Sequence, residues 1–247
     1  MAPSPTDPRP HHYLIEHLDP EISPWSTAEY ASIANETHST YPPSSSVSST
    51  PSKTPYFILS SVPPSMQLPA ELQQLQTRGM VSVEHRSVEE MCWQEGEKGE
   101  GKLWRKERVC LLDPKAEKEL EPKDGEVFDA FLFGGILGDD PPRDRTSELR
   151  CKGFPTRRLG PLQMTTDTAV RVTRLVVASG IPVDQIPYID YPEIKINKHE
   201  TTEMPFRYVK DERGKPAMPE GMDELIAKDS DKGFAELMGD DGALGGS

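Results

Sequence analysis

The feature that most constrains this chain is an apolar strand that runs straight into glycines. Phe128 to Gly138 reads FDAFLFGGILG, with DDPPRDRT immediately behind it. A buried strand ending in glycines is where an open α/β sheet usually holds its ligand, because backbone can approach a small molecule there with no Cβ in the way. Two aspartates, two prolines and an alternation of arginine with aspartate follow, a density of charge that suits a binding loop.

Strand and helix signals alternate over most of the length. Strands are expected over His12 to Leu18, Tyr56 to Leu59, Val81 to Glu84, Arg108 to Asp113, Phe128 to Phe133, Phe154 to Leu159, Ile186 to Tyr191 and Phe206 to Val209. Helices are expected after Ser23-Pro24-Trp25, where Ser caps and Pro opens the first turn, after Pro69, around Thr146 to Leu149, and near the C-terminus from Pro219. The clearest is Thr166 to Ser179. Ala169, Val172 and Val176 share one face, Thr165 or Thr166 caps it, Asp167 sits in the positive first turn, and Gly180 with Pro182 closes it. Such alternation argues α/β, a mostly parallel sheet with helices on both faces. Residues 1–11 read as a leader, 41–55 as a Ser/Pro-rich insert and 93–107 as a mobile connection.

Charge narrows the partners. The 247 residues carry a formal net charge of -13, and 211–247 holds ten acidic against four basic residues. An acidic surface repels phosphate backbones and attracts basic ones, so a basic protein is the better partner and no direct nucleic acid contact is expected. Three cysteines, Cys92, Cys110 and Cys151, without CxxC spacing suit a reducing, cytoplasmic setting, and no metal site is called for. No apolar run reaches membrane length.

Three loops stand out: GGILGDDPPRDRT at 134–146, RRLGPLQMTTDTA at 157–169 and DYPEIKINKHETTEMPFRY at 190–208. The second enters the strong helix, whose first-turn N–H groups favour a carboxylate or phosphate. None is a Walker loop, and GGILG lacks dinucleotide spacing, so the same glycines also suit plain tight turns.

These runs, with IDYPEIKINKHETTEMPFRYV and GKPAMPEGM, resemble the SPOUT-class protein-arginine methyltransferase of eukaryotes, which methylates a small-subunit ribosomal protein. The likeness covers most of the chain and leaves out 41–55, 92–107 and the Gly-rich end. It implies a SPOUT fold, with a Rossmann-like N-terminal half over 12–126, a half tied in a deep trefoil knot over 127–210, and an acidic extension beyond. It implies S-adenosylmethionine (SAM) as cofactor. Leu132, Phe133, Gly134, Gly135 and Gly138 would form the first cofactor loop, Arg158, Leu159 and Gly160 the second, and Gln163, Met164, Thr165 and Thr166 would close the pocket. Ile136, Leu137 and Leu162 would add apolar wall, and Met164 suits core packing equally. Arg158 or the helix start would hold the cofactor carboxylate.

An arginine acceptor needs carboxylates, which grip the guanidinium in its plane and take up its proton. Asp139 is the first choice, Glu203 the second, and Asp144 and Asp140 follow; Asp144 also suits a local ion pair. Asp167 reads as a helix-dipole residue, and Trp25 as core or loop packing. The expectation is a SAM-dependent methyltransferase acting on an arginine of a basic ribosomal protein. Its rivals are a SPOUT RNA methyltransferase and a non-catalytic SAM-binding assembly factor. SPOUT enzymes commonly form homodimers, but the acidic extension favours a monomer.

Overall fold

The computed structural model describes residues 9–42, 55–97, 99–134, 146–195 and 201–228. The strands are β1 (His12–Glu16), β2 (Phe57–Ser60), β3 (Ser82–Val83), β4 (Cys92–Trp93), β5 (Trp104–Arg105), β6 (Val109–Leu112), β7 (Ala130–Gly134), β8 (Thr156–Arg157), β9 (Tyr188–Asp190), β10 (Glu193–Lys195), β11 (Thr201–Glu203) and β12 (Arg207–Val209). The α-helices are α1 (Pro24–Thr40), α2 (Ala70–Thr77), α3 (Val88–Met91), α4 (Asp124–Val127), α5 (Thr146–Arg150) and α6 (Thr166–Val177), and 222–228 is helical as expected near the C-terminus.

Six strands form one sheet in the order β3-β2-β1-β7-β6-β8, and every pairing in it is parallel. Side chains alternate across a strand, so each strand feeds two cores. Tyr13, Ile15, Phe57, Leu59, Cys110, Leu112, Phe131 and Phe133 face one way, where Tyr30 and Ile33 of α1, Leu72 of α2 and Val172 and Val176 of α6 cover them. Leu14, Ile58, Val109, Leu111, Ala130 and Leu132 face the other, under Val88 and Met91 of α3, Trp104, Leu149 of α5 and Phe154. The expected α/β architecture with helices on both faces is present.

The six-stranded sheet draws strands from both 12–126 and 127–210. β7 lies between β1 and β6, pairing Leu14 with Leu132 on one side and Leu111 with Leu132 on the other. Both halves therefore share one sheet. The path from β7 to α5 runs through 135–145, so the threading that would define the expected knot lies outside the described residues.

Residues 93–107, read from sequence as a mobile connection, carry a short parallel pair. Cys92 and Trp93 register with Trp104 and Arg105, and the Arg105 guanidinium lies 5.3 Å from the Trp93 ring centroid. Its glycines and charges hid this, because a two-residue strand has no readable period. The loop 190–208 likewise contains pairings not foreseen, β10 with β11 and β12 with β9.

Candidate active site

β6 and β7 are parallel neighbours that end at the same level, and the ends of parallel strands leave a crevice. Here it is walled by Leu112, Asp113 and Pro114 beyond β6, by Phe133 and Gly134 of β7, and by Thr146 at the start of α5. Leu159, Gly160, Leu162, Gln163 and Met164 from the loop after β8, with Thr166 and Ala169 of α6, complete it. About 590 Å³ of empty space lies within this lining, part of it open to solvent.

Two glycines shape it. A Cβ at Gly134 would come within 3.2 Å of the Thr146 hydroxyl, so the bare backbone lets α5 begin against the end of β7. Gly160 has φ of +90°, which an L side chain adopts only under strain, and it turns the chain back toward α6. Backbone holds the loop elsewhere: the Arg207 N–H donates to the Gln163 carbonyl at 2.8 Å. The Arg207 side chain is engaged with Asp190 at 2.6 and 2.8 Å and lies over the Tyr188 ring.

Phe133, Gly134, Leu159, Gly160, Leu162, Gln163, Met164 and Thr166 thus come together from two separate parts of the sequence. Leu132 does not join them, because strand alternation turns it into the opposite core. Arg158 is exposed, and its backbone is bonded to Lys118 and Leu120, away from the cleft. Glu203 is also exposed, opposite Glu193 in the β10–β11 pair, and does not line the cleft. Thr165 is the N-cap of α6, but its hydroxyl donates to Asp167 at 2.7 Å and lies 2.8 Å from the Thr168 hydroxyl rather than capping backbone. Gly135, Ile136, Leu137, Gly138, Asp139, Asp140 and Asp144 lie outside the described residues.

Asp113 and Pro114 were not singled out from sequence, although an apolar strand halted by Asp-Pro beside FDAFLF was the available signal. Asp113 accepts two hydrogen bonds from Arg150, at 2.5 and 2.7 Å, and the Lys115 N–H at 2.9 Å. It ties the far ends of β6 and α5 together at the cleft wall.

Behind the first turn of α6 is a second polar group that sequence reasoning passed over. Glu29 of α1 is 0% exposed and Asp167 of α6 is 2% exposed. The Trp25 indole N–H donates to Glu29 Oε1 at 3.2 Å. The N–H and hydroxyl of Thr166 also face this carboxyl, so the positive helix end offered to a cofactor carboxylate is faced by the chain's own acid. Burial, with Asp167 beside it, still holds Glu29 well above the usual carboxylate range, and burial raises Asp167 as well. Glu29 Oε2, Asp167 Oδ2 and the Tyr208 hydroxyl have no hydrogen-bond partner among the described residues.

The lining fits SAM. Leu112, Pro114, Phe133, Leu159, Leu162, Met164 and Ala169 provide apolar walls for adenine and the methionine carbons, while Gly134 and Gly160 leave backbone open to approach. A parallel α/β sheet with an apolar cleft at its strand ends, and acids one helix turn behind, defines a nucleoside-cofactor enzyme class. A sequence model of the protein arginine N-methyltransferase SFM1-like family matches residues 12–233. The chain belongs to that family. It is 42% identical over 233 residues to protein arginine N-methyltransferase SFM1 of Saccharomyces cerevisiae, covering 92% of this chain and 99% of the relative. The crystal structure of the yeast arginine methyltransferase SFM1 complexed with SAM superposes with a TM-score of 0.72 at 41% identity, over 92% of this chain and 93% of that one. The yeast complex with S-adenosylhomocysteine (SAH) gives 0.71 at 41% identity, over 87% and 94%.

Proposed function

We propose that this protein binds SAM in the cleft between β6, β7 and α6 and methylates an arginine side chain of a basic ribosomal protein of the small subunit, in the cytoplasm. One observation carries the reading: the apolar cleft at the ends of β6 and β7 occurs in a chain that matches, over nine-tenths of its length, an arginine methyltransferase solved with SAM. The cofactor, when bound, supplies a methyl group on a sulfonium as electrophile.

The chain's own residues bind, orient and dry the site. Phe133, Leu159, Leu162 and Met164 exclude water from the cleft, which strengthens any electrostatic contact made there. Gly160 sets the turn that brings the 159–164 loop against α6. Holding the acceptor nitrogen in line is the step for which orientation contributes most. Asp139, which follows the glycine loop, remains the proposed proton acceptor within 135–145. A net charge of -13 favours a basic protein acceptor over RNA, and the three cysteines are unpaired, which suits the cytoplasm. A monomer is the proposed state.

Calorimetric titration with SAM, followed by methyl incorporation into small-subunit ribosomal protein, rRNA and tRNA in parallel, tests the reading. Saturable SAM binding with label in protein is expected. Label confined to RNA, or no SAM binding, would overturn it.

A further inference from the structure

The ribbon of β9 and β12 has two faces. Arg207 stands directly opposite Asp190 and Val209 opposite Tyr188, so these four side chains share one face. The other face carries Tyr208 into a small cluster with Met204 and Met222. On the first face the Arg207 guanidinium is held on two sides. Asp190 accepts from Nε at 2.6 Å and from Nη2 at 2.8 Å, and the Tyr188 ring centroid lies 4.4 Å away. A planar fork gripped by a carboxylate and laid against an aromatic ring has one orientation. A lysine ammonium, rotating on a flexible stem, would have many.

That orientation puts Nη1 against the loop of the cofactor cleft. Nη1 lies 3.9 Å from the position a Cβ would take at Gly160, and Val183 lies at 3.8 Å, so the Gly160 turn rests on these two side chains. The Tyr188 hydroxyl donates to the Val183 carbonyl at 3.0 Å, which ties the second support to the same ring. The backbone of Arg207 meets the other end of the loop. Its N–H donates to the Gln163 carbonyl at 2.8 Å, and it bridges to Met164. One residue thus touches the 160–164 loop at both ends, and that loop supplies Gly160, Leu162, Gln163 and Met164 to the cleft. A glycine turn has no side chain of its own to lock it, so its place is set by what it rests on. As glue the ion pair is weak. The Asp190 side chain is 39% exposed, and a pair open to water adds little to stability. What it fixes is geometry.

We infer that Arg207 is a positioning residue for the cofactor, holding the 160–164 loop at the spacing SAM needs, and that Asp190 and Tyr188 orient it. The inference rests on the proposed binding of SAM in this cleft. Arg207 acts through the lining rather than in it, by way of the Gly160 turn and the Gln163 carbonyl. A displacement of about 1 Å at such a loop is enough to cost an enzyme heavily in binding or rate. The loop belongs to the cofactor cleft, so the effect falls on SAM and not on the acceptor protein.

Calorimetric titration of SAM into the full chain tests this, with the thermal midpoint of the same preparations measured without SAM. Arg207→Lys and Asp190→Asn should each weaken SAM binding about tenfold. The double variant should lose no more than Arg207→Lys alone, because both changes break one link. The midpoint should fall by less than about 4 °C, as expected for an exposed pair. In methyl transfer to small-subunit ribosomal protein, the KM for SAM should rise in step with the dissociation constant while the KM for the acceptor stays within about twofold. Asp190→Asn keeps its shape at an exposed site, so it decides the matter even where Arg207→Lys folds poorly. Unchanged SAM affinity in both variants, whatever the midpoint does, or additive losses in the double variant, would overturn the role of Arg207. A wild type that binds no SAM would overturn the proposed function itself.

Discussion

The α1–α6 seam solves the same electrostatic problem in two opposite ways. Glu36 and Glu29 lie seven residues apart, two turns along one face of α1, and Arg174, Arg171 and Asp167 run back along α6 at helical spacing. At one end Glu36 accepts from Arg171 at 2.5 Å and from Arg174, whose side chain also reaches Thr37. Those arginines hold Glu36 below the usual carboxylate range against the pull of burial. At the other end, Glu29 and Asp167 are buried close together with only Arg171, 3.5 Å from Asp167, as a cation, and both are pushed upward by burial. A fold that can pair its acids so fully at one end, and does not at the other, is using the two ends differently. One end is glue. The other is a buried pair of acids in which burial outweighs the single 3.5 Å contact from Arg171.

The largest expected effect breaks the glue. Glu36→Ala strands two arginine side chains that are 11% and 9% exposed. It should cost about 3 kcal/mol in urea unfolding, the range for removing one partner of a buried charge cluster. A loss comparable to an exposed pair, below about 1 kcal/mol, would erase the contrast between the ends.

Next is the cleft. Gly160→Val places a branched side chain at φ of +90°, with Val183 and Arg207 already 3.8 and 3.9 Å from the Cβ position. Destabilisation of about 2 kcal/mol is expected on unfolding, and SAM affinity by calorimetry should fall at least about tenfold.

The buried acid pair should move the other way. Glu29 has its folded pKa raised above its unfolded value, so any stability it contributes is present only at acid pH and is lost as pH rises. Glu29→Gln should therefore raise the thermal midpoint at pH 7.5, by the equivalent of about 1 kcal/mol, and the gain should shrink toward pH 4. A loss at neutral pH would contradict this.

The smallest effect concerns the N-terminal end of β1, inside the sheet. Burial lowers His11 and takes His12 down to about 4. The neutral form is favoured in the fold, so this contribution is complete above about pH 6.5 and is lost as pH falls toward 4. The thermal midpoint of wild type should decline across that window, and replacing His12 with Phe should flatten the decline.

Much of the frame was legible before any coordinates. Within FDAFLF, RVCLL and YFIL the runs AFLF, VCLL and FIL are apolar throughout because both faces of a parallel strand are covered, and all three lie in strands of the central sheet. The Ser23-Pro24 start and the Thr165 N-cap were readable from local chemistry alone. The cleft was partly legible, since glycines after strands marked two of its walls. Its third wall, Asp113-Pro114, depends on β6 and β7 being neighbours, which no local pattern states. The buried pair Glu29 and Asp167 was illegible for the same reason. Asp167 looked like a helix-dipole residue and Trp25 like packing, because Glu29 lies 138 positions before Asp167 and only the docking of α1 on α6 brings them together. Arg171 and Arg174, which fell outside the apolar face by periodicity, are buried by Glu36, a partner equally remote in sequence.

The central claim is that the cleft at the ends of β6 and β7 serves methyl transfer to arginine. It is tested most directly by incubating the purified chain with tritiated SAM and small-subunit ribosomal proteins, hydrolysing the protein in acid and separating the labelled amino acids. Radioactivity in methylarginine, strongly reduced by Asp139→Ala at saturating SAM, is the predicted result. Label in another amino acid or only in RNA, or equal methylarginine from wild type and variant, would contradict the account.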